Sequence, residues 1–211
     1  MQQFLGTLFF TLAAICQGQP PSLAPAPVRS TLKQIVETLN RYPQSPETAE
    51  AVAGIRKSAT WLAGRLKDDK TPAPYGRSIE RHLALLREAL ESGPVRQAET
   101  LQYVFEDIKL KHADCKQFGM GRLVKLEVRT KKGNEEVRGW QVFYRWIPSR
   151  AVGEVRSQPF PSLSSPTSVE LPPGAYTVQA KKAVDGKELA SAELTVPVGG
   201  RKTVTFEVPV P

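Results

Sequence analysis

The chain has 211 residues, 40% of them apolar and 24% charged, a balance that excludes wholesale disorder and allows one large folded unit or two small ones. Its net charge is +8, and residues 1–28 carry no charged side chain, so the whole excess lies in residues 29–211. With only two histidines and two cysteines, few catalytic or metal-binding constellations can be built.

Residues 4–15, FLGTLFFTLAAI, form an apolar run too short for a membrane span, which takes about 20 residues. The run has the form of the apolar core of a secretory signal peptide, expected over residues 1–18 with cleavage after Cys16 or Gly18. Its leading segment, Met1-Gln2-Gln3, has only the α-amine as positive charge. An apolar run ending in Cys16 and followed by a Pro-rich tether also has the outline of a lipoprotein start. Ile15 stands where such motifs want a small residue, and Ala13 where leucine is usual, so a lipid anchor at Cys16 is the minor reading. Residues 19–28, with Pro20, Pro21, Pro25 and Pro27, read as a linker. The mature chain is therefore expected to be secreted, periplasmic or at the cell surface, with no transmembrane helix. After cleavage Cys115 is its single cysteine, which leaves no intramolecular disulfide.

Residues 29–113 predict a small helical bundle. Four segments repeat apolar residues at the helical period. The first covers residues 31–40 with Leu32, Ile35, Val36 and Leu39. The second starts at Ser45-Pro46, a capping residue followed by a proline suited to the first helical position. Its stripe is Val52, Ile55, Ala59, Leu62 and Leu66. The third starts at Tyr75 or Ser78, carries Ile79, Leu83, Leu86 and Leu90, and stops at Gly93-Pro94. The fourth carries Val95, Ala98, Leu101, Phe105 and Ile108.

From residue 121 the period changes to two, and residues 121–208 predict antiparallel strands. Val124, Leu126 and Val128 alternate with Lys125, Glu127 and Arg129. Lys132-Gly133-Asn134 reads as a hairpin turn leading into a strand over residues 139–147, which is expected to lie beside the first. That strand has apolar residues on both faces, so it is expected to be central. A Pro- and Ser-rich loop over 148–166, with a short strand at 152–156, precedes strands at 167–171, 175–182, 188–196 and 202–208. Turn signals separate these at Pro172-Pro173-Gly174, Asp185-Gly186 and Gly199-Gly200. The expected fold class is α+β in two domains, a helical bundle followed by an Ig-like or transthyretin-like β-sandwich.

The run VELPPGAYTVQAKK (169–182), then an outgoing strand, a Gly-Gly turn and KTVTFEV (202–208), resembles the PEGA and carboxypeptidase-regulatory-like families. Its centre is Leu171-Pro172-Pro173-Gly174-Ala175-Tyr176. The resemblance covers about the last 45 residues well and 123–147 loosely. It implies a transthyretin-like sandwich serving as an accessory module of exported proteins, used for structure, display or binding.

Chemistry is sparse. The segment His112-Ala113-Asp114-Cys115 places three ligand types close together, but zinc sites draw on ligand pairs from separate points, and no second pair exists. His82 sits in a helical run and is expected to be half exposed. There is no GxSxG, no GxGxxG and no phosphate loop ending in GKS or GKT. The acidic pair Glu106-Asp107 reads as solubilising charge. No catalytic residue, metal or cofactor is therefore expected. A binding surface could be made by Trp140, Tyr144 and Trp146, with Lys125 and Arg129 from the neighbouring strand, as an aromatic–basic face for anionic glycans. The function expected is an exported structural or interaction protein of a bacterial envelope, without enzymatic activity. A carbohydrate- or cell-wall-binding protein is the alternative, and a hydrolase or metal enzyme around His112 and Cys115 a lesser one. The expected partner is a protein or an envelope polymer, not nucleic acid.

Overall fold

The computed structural model describes residues 27–43, 45–148, 157–162, 165–182, 188–196 and 202–207. The expected signal peptide, Cys16, the strand at 152–156 and the turns at 185–186 and 199–200 lie outside the described residues.

Helices come first: α1 (Val28–Leu39), α2 (Pro46–Arg65), α3 (Ala73–Leu90) and α4 (Pro94–Phe118), with a 3-10 turn at Asp68–Lys70 between α2 and α3. Prolines open α2 and α4 and stand in the first turn of α3, where the missing N–H costs nothing. α4 runs past residue 113, the bundle's end as read from the sequence, and stops at Gly119. There φ is 77°, a conformation that favours glycine, and the Gly119 N–H donates to the Cys115 carbonyl at 2.7 Å. Leu32, Ile35, Ile55, Leu62, Ile79, Leu86, Leu101 and Ile108 are fully buried on the facing stripes, each contributing about 1.5–3 kcal/mol by leaving water. The link after α1 is tied to α3 by the buried Tyr42 hydroxyl, which donates to the Leu86 carbonyl at 2.6 Å.

The described strands number eight: β1 (Val124–Lys132), β2 (Glu135–Glu136), β3 (Trp140–Trp146), β4 (Gln158–Pro159), β5 (Thr167–Leu171), β6 (Gly174–Lys182), β7 (Glu188–Val196) and β8 (Lys202–Glu207). They form two four-stranded sheets. One runs in the order β4-β3-β6-β7, antiparallel throughout. The other is built on β1, which pairs antiparallel with β2 and β5 and parallel with β8. The fold class is thus α+β, with its helices in the N-terminal part.

Two expectations about pairing are corrected. The turn at Gly133 returns only as the two-residue β2, and by Trp140 the chain has entered the other sheet as β3. Strands β1 and β3 are therefore not neighbours. The pairing of β1 with β8 is parallel, because β8 approaches the free side of β1 in the same direction. As its two apolar faces imply, β3 is an inner strand, held between β4 and β6. The buried apolar residues of helices and strands belong to one connected core.

Candidate functional site

On α4 the inward phase runs Leu101, Val104, Ile108 and Cys115. Asp107 and Lys111, one turn apart, share that face and are fully buried with it. Against this face land the end of β3, the start of β6 and the prolines between β5 and β6. Lys111 Nζ binds Asp107 Oδ2 and donates to the Pro173 carbonyl at 2.8 Å. His82 Nε2, from α3, lies 2.9 Å from the same Oδ2. Oδ1 accepts the Trp146 indole N–H at 2.9 Å and the Ala175 backbone N–H at 3.0 Å. One carboxylate thus takes four donors from two helices and two strands. Gly174 is the close approach that allows it, since a Cβ there would stand 2.5 Å from Oδ1. The adjacent Tyr176 hydroxyl donates to the Pro172 carbonyl at 2.9 Å, closing the Leu171–Tyr176 turn on itself.

The electrostatics come from burial and pairing. Burial alone would push the Asp107 carboxyl up, but the Lys111 ammonium and the His82 ring together hold it well below the usual carboxylate range. Burial pushes His82 down, against the pull of Asp107 and with the push of Lys111, so its ring is neutral near pH 7. The neutral ring donates from Nε2 and leaves Nδ1 as a buried lone pair with no partner among the described residues. The cluster is a compensated ion pair plus neutral donors, the condition under which charges survive burial. A His–Asp pair can supply two members of a catalytic triad, but His82, Asp107 and Lys111 are wholly inside the protein, out of reach of a substrate.

Trp146 separates this cluster from solvent. Its ring lies 5.1 Å from that of His82 on one side, and the Arg81 guanidinium stands 5.7 Å from its centroid. Outside it is a cleft of about 480 Å³ between α3 and the strands, lined among others by Arg77, Arg81, Tyr144, Arg145, Trp146 and Glu170. This cleft is where the helical and strand parts meet, and neither His112 nor Cys115 lines it.

Of the binding residues expected from the sequence, Trp140 and Trp146 are buried, with 8% and 7% of their surface exposed. They pack in the core and offer no open row for stacking on sugar rings. Tyr144 is half-buried and lines the cleft, its hydroxyl donating to Gln158 Oε1 at 2.6 Å. Lys125 is exposed on β1. Arg129 is tied to Glu127 and Glu136 at 3.0 and 2.8 Å. Because β1 and β3 lie in different sheets, no single aromatic–basic strand face brings these five residues together.

The His112–Cys115 segment is also dispersed. His112 Nδ1 faces Ser58 Oγ at 3.1 Å, and its ring stacks on Trp61 at 4.5 Å between centroids. Cys115 is a buried free thiol, raised by burial and by the Asp114 charge. Asp114 is fully buried and receives a two-pronged Arg122 guanidinium at 2.9–3.2 Å. Among the described residues no group of three or more His, Cys, Asp or Glu side chains is placed to hold a metal ion. No described helix is long and apolar enough to cross a membrane.

His82 and Asp107 correct the sequence reading: the first is fully buried, not half exposed, and the second is structural, not solubilising. Lys111 is not among the residues that the sequence singles out. The available signal was phase, since Asp107 and Lys111 fall three residues after Val104 and Ile108 and so continue the inward stripe of α4. No protein-family model matches the chain, and no curated protein matches it.

Proposed function

We propose that this is an exported, non-catalytic structural or interaction protein of a bacterial envelope, in which the helices and strands act as one rigid unit. The supporting observation is the Asp107 cluster. The grouping closest to a catalytic one is spent on fastening α3 and α4 to β3, β6 and the Pro172-Pro173 link. Charges committed in this way stabilise one relative placement of elements.

In the same reading the two sheets are the layers of a transthyretin-like sandwich, and the Leu171–Tyr176 turn that resembles PEGA-like modules is its docking end for the bundle. The resemblance and the apolar run at residues 4–15 support export. The test is to express the whole chain and a version lacking residues 1–18 in a bacterial host, fractionate the cells and weigh the product. The expected result is whole-chain product outside the cytoplasm beginning at Gln17 or Gln19, with the shortened form retained inside. Whole-chain product kept in the cytoplasm with Met1 in place would overturn the reading.

A further inference from the structure

We propose that the Asp107 cluster is an acid-sensitive latch: protonation of His82 releases the end of β3 and the turn between β5 and β6 from α3 and α4, while the helices and sheets themselves stay formed. Charge gives the first reason. With a neutral His82 ring, the Asp107 carboxylate and the Lys111 ammonium cancel, and the buried cluster has no net charge. A proton on His82 adds an uncompensated positive charge where no surface is exposed. It also sets a second ring N–H, at Nδ1, where no acceptor stands among the described residues. An unmatched buried charge and an unmade buried donor are each costly, and both costs end once the ring reaches water.

The surroundings sharpen the conflict. The charges acting on His82 from α4 are Asp107, already matched by Lys111, and Lys111 itself. From β3 comes the uncharged Trp146 ring, 5.1 Å away. From β6 comes Tyr176, near Asp107, its hydroxyl kept neutral by burial. α1 buries only apolar and threonine side chains against the bundle. On α3 itself, Arg81 stands by the Trp146 ring and brings further positive charge. Glu170 of β5 lines the cleft outside Trp146.

Geometry makes the release local. The Trp146 indole, the Ala175 N–H and the Pro173 carbonyl all fasten to the Asp107–Lys111 pair, so displacing that pair frees three strand-side contacts together. Packing of helices on strands is concentrated where α4 meets β6, at this same place. Trp146 stands between the His82 ring and the cleft, and its displacement lets water in.

The latch rests on the junction described above and not on export, so its failure and that of the export test are distinguishable. It is tested by hydrogen exchange of the 15N-labelled chain, followed by NMR at pH 7 and pH 5 and corrected for the intrinsic pH dependence of exchange. The Trp146 indole N–H and the Ala175 amide are expected to exchange about tenfold faster or more at pH 5, the effect of one proton taken up on opening. The amides of Val178, inside β6, and Ile108, inside α4, should keep their protection. His82→Gln, uncharged at both pH values, should remove the acceleration. Unchanged protection of Trp146 and Ala175 overturns the proposal, as does its loss together with that of Val178 and Ile108, or an equal loss in His82→Gln. Should that variant fail to fold, the His82 and His112 ring signals of the parent protein decide. Opening must track the protonation of His82, and opening that tracks His112 instead overturns the latch.

Discussion

The indole N–H of Trp146, at the end of β3, donates to Asp107 Oδ1 on α4 across 2.9 Å, both residues being buried. This bond joins the inner sheet strand to the longest helix, and it faces the His82–Lys111 side of the same carboxylate. The arrangement has measurable consequences for stability.

Removing the carboxylate leaves the Lys111 ammonium buried without its counter-charge. Asp107→Ala is expected to destabilise the fold by about 3–5 kcal/mol, and Lys111→Met by a similar amount. The double variant Asp107→Ala with Lys111→Met should lose clearly less than the sum, with a coupling of about 1–3 kcal/mol. Urea denaturation of the four proteins measures this, and simple additivity would show that the two groups do not act as a pair.

Stability should fall as pH drops from about 7 to 5. The folded His82 binds its proton below the ordinary value near 6.5, so in this window the unfolded chain takes up a proton that the folded chain refuses. Unfolding then binds protons, and stability rises with pH. His112 is lowered too, by burial and then by Lys116 and Lys57, but it is far less enclosed. His82→Gln should therefore flatten most of the slope between pH 5 and 7, and His112→Gln little of it. Asp107 acts lower: the stabilisation from its depressed value is whole above about 4 and fades as pH falls further. A slope in His82→Gln equal to that of the parent protein would contradict this account.

The same substitution at two glycines should have opposite signs. At Gly174 a new Cβ would meet Asp107 Oδ1 at 2.5 Å, and that oxygen cannot retreat without releasing Trp146 and Ala175. Gly174→Ala is expected to cost about 1–3 kcal/mol. At Gly64, within α2, nothing lies within 4 Å of the added methyl. Gly64→Ala should stabilise by about 0.5–1 kcal/mol through helix propensity. Thermal melts of both variants decide the matter.

The Cys115 thiol should be nearly inert in the folded protein. It is buried, and burial with the Asp114 charge raises it above the ordinary thiol range, against the opposing pull of Arg65. Reaction with a thiol reagent should be slower by orders of magnitude in native buffer than in denaturant. Rapid labelling of the native thiol would mean that the α4 face opens readily.

Much of this architecture was legible in the residues. The helices come from apolar stripes, with Ser45-Pro46 and Gly93-Pro94 as punctuation, and β5 and β7 have the bounds that the turn residues imply. Sheet membership was not legible, because the alternation of β1 says which face is buried but not which strand lies alongside. Nor was the cluster. Asp107 comes directly after Glu106, and Lys111 stands four residues on, a pattern that on most helices marks a solvated face. Two of their partners, the Pro173 carbonyl and the Ala175 N–H, come from the LPPGAY turn between β5 and β6, and that meeting spans more than sixty positions of chain.

The parallel pairing of β1 with β8 also orders events in time. Leu126 must wait for Lys202, and Lys131 for Glu207, before that side of β1 is covered. During synthesis the helices can close on one another while the first strand still presents an open edge, and the sheet built on it is completed only when β8 has left the ribosome. A nascent chain stalled before residue 202 would expose a β1 edge able to recruit other strands. Cleavage between β7 and β8 would reopen that edge in the finished protein.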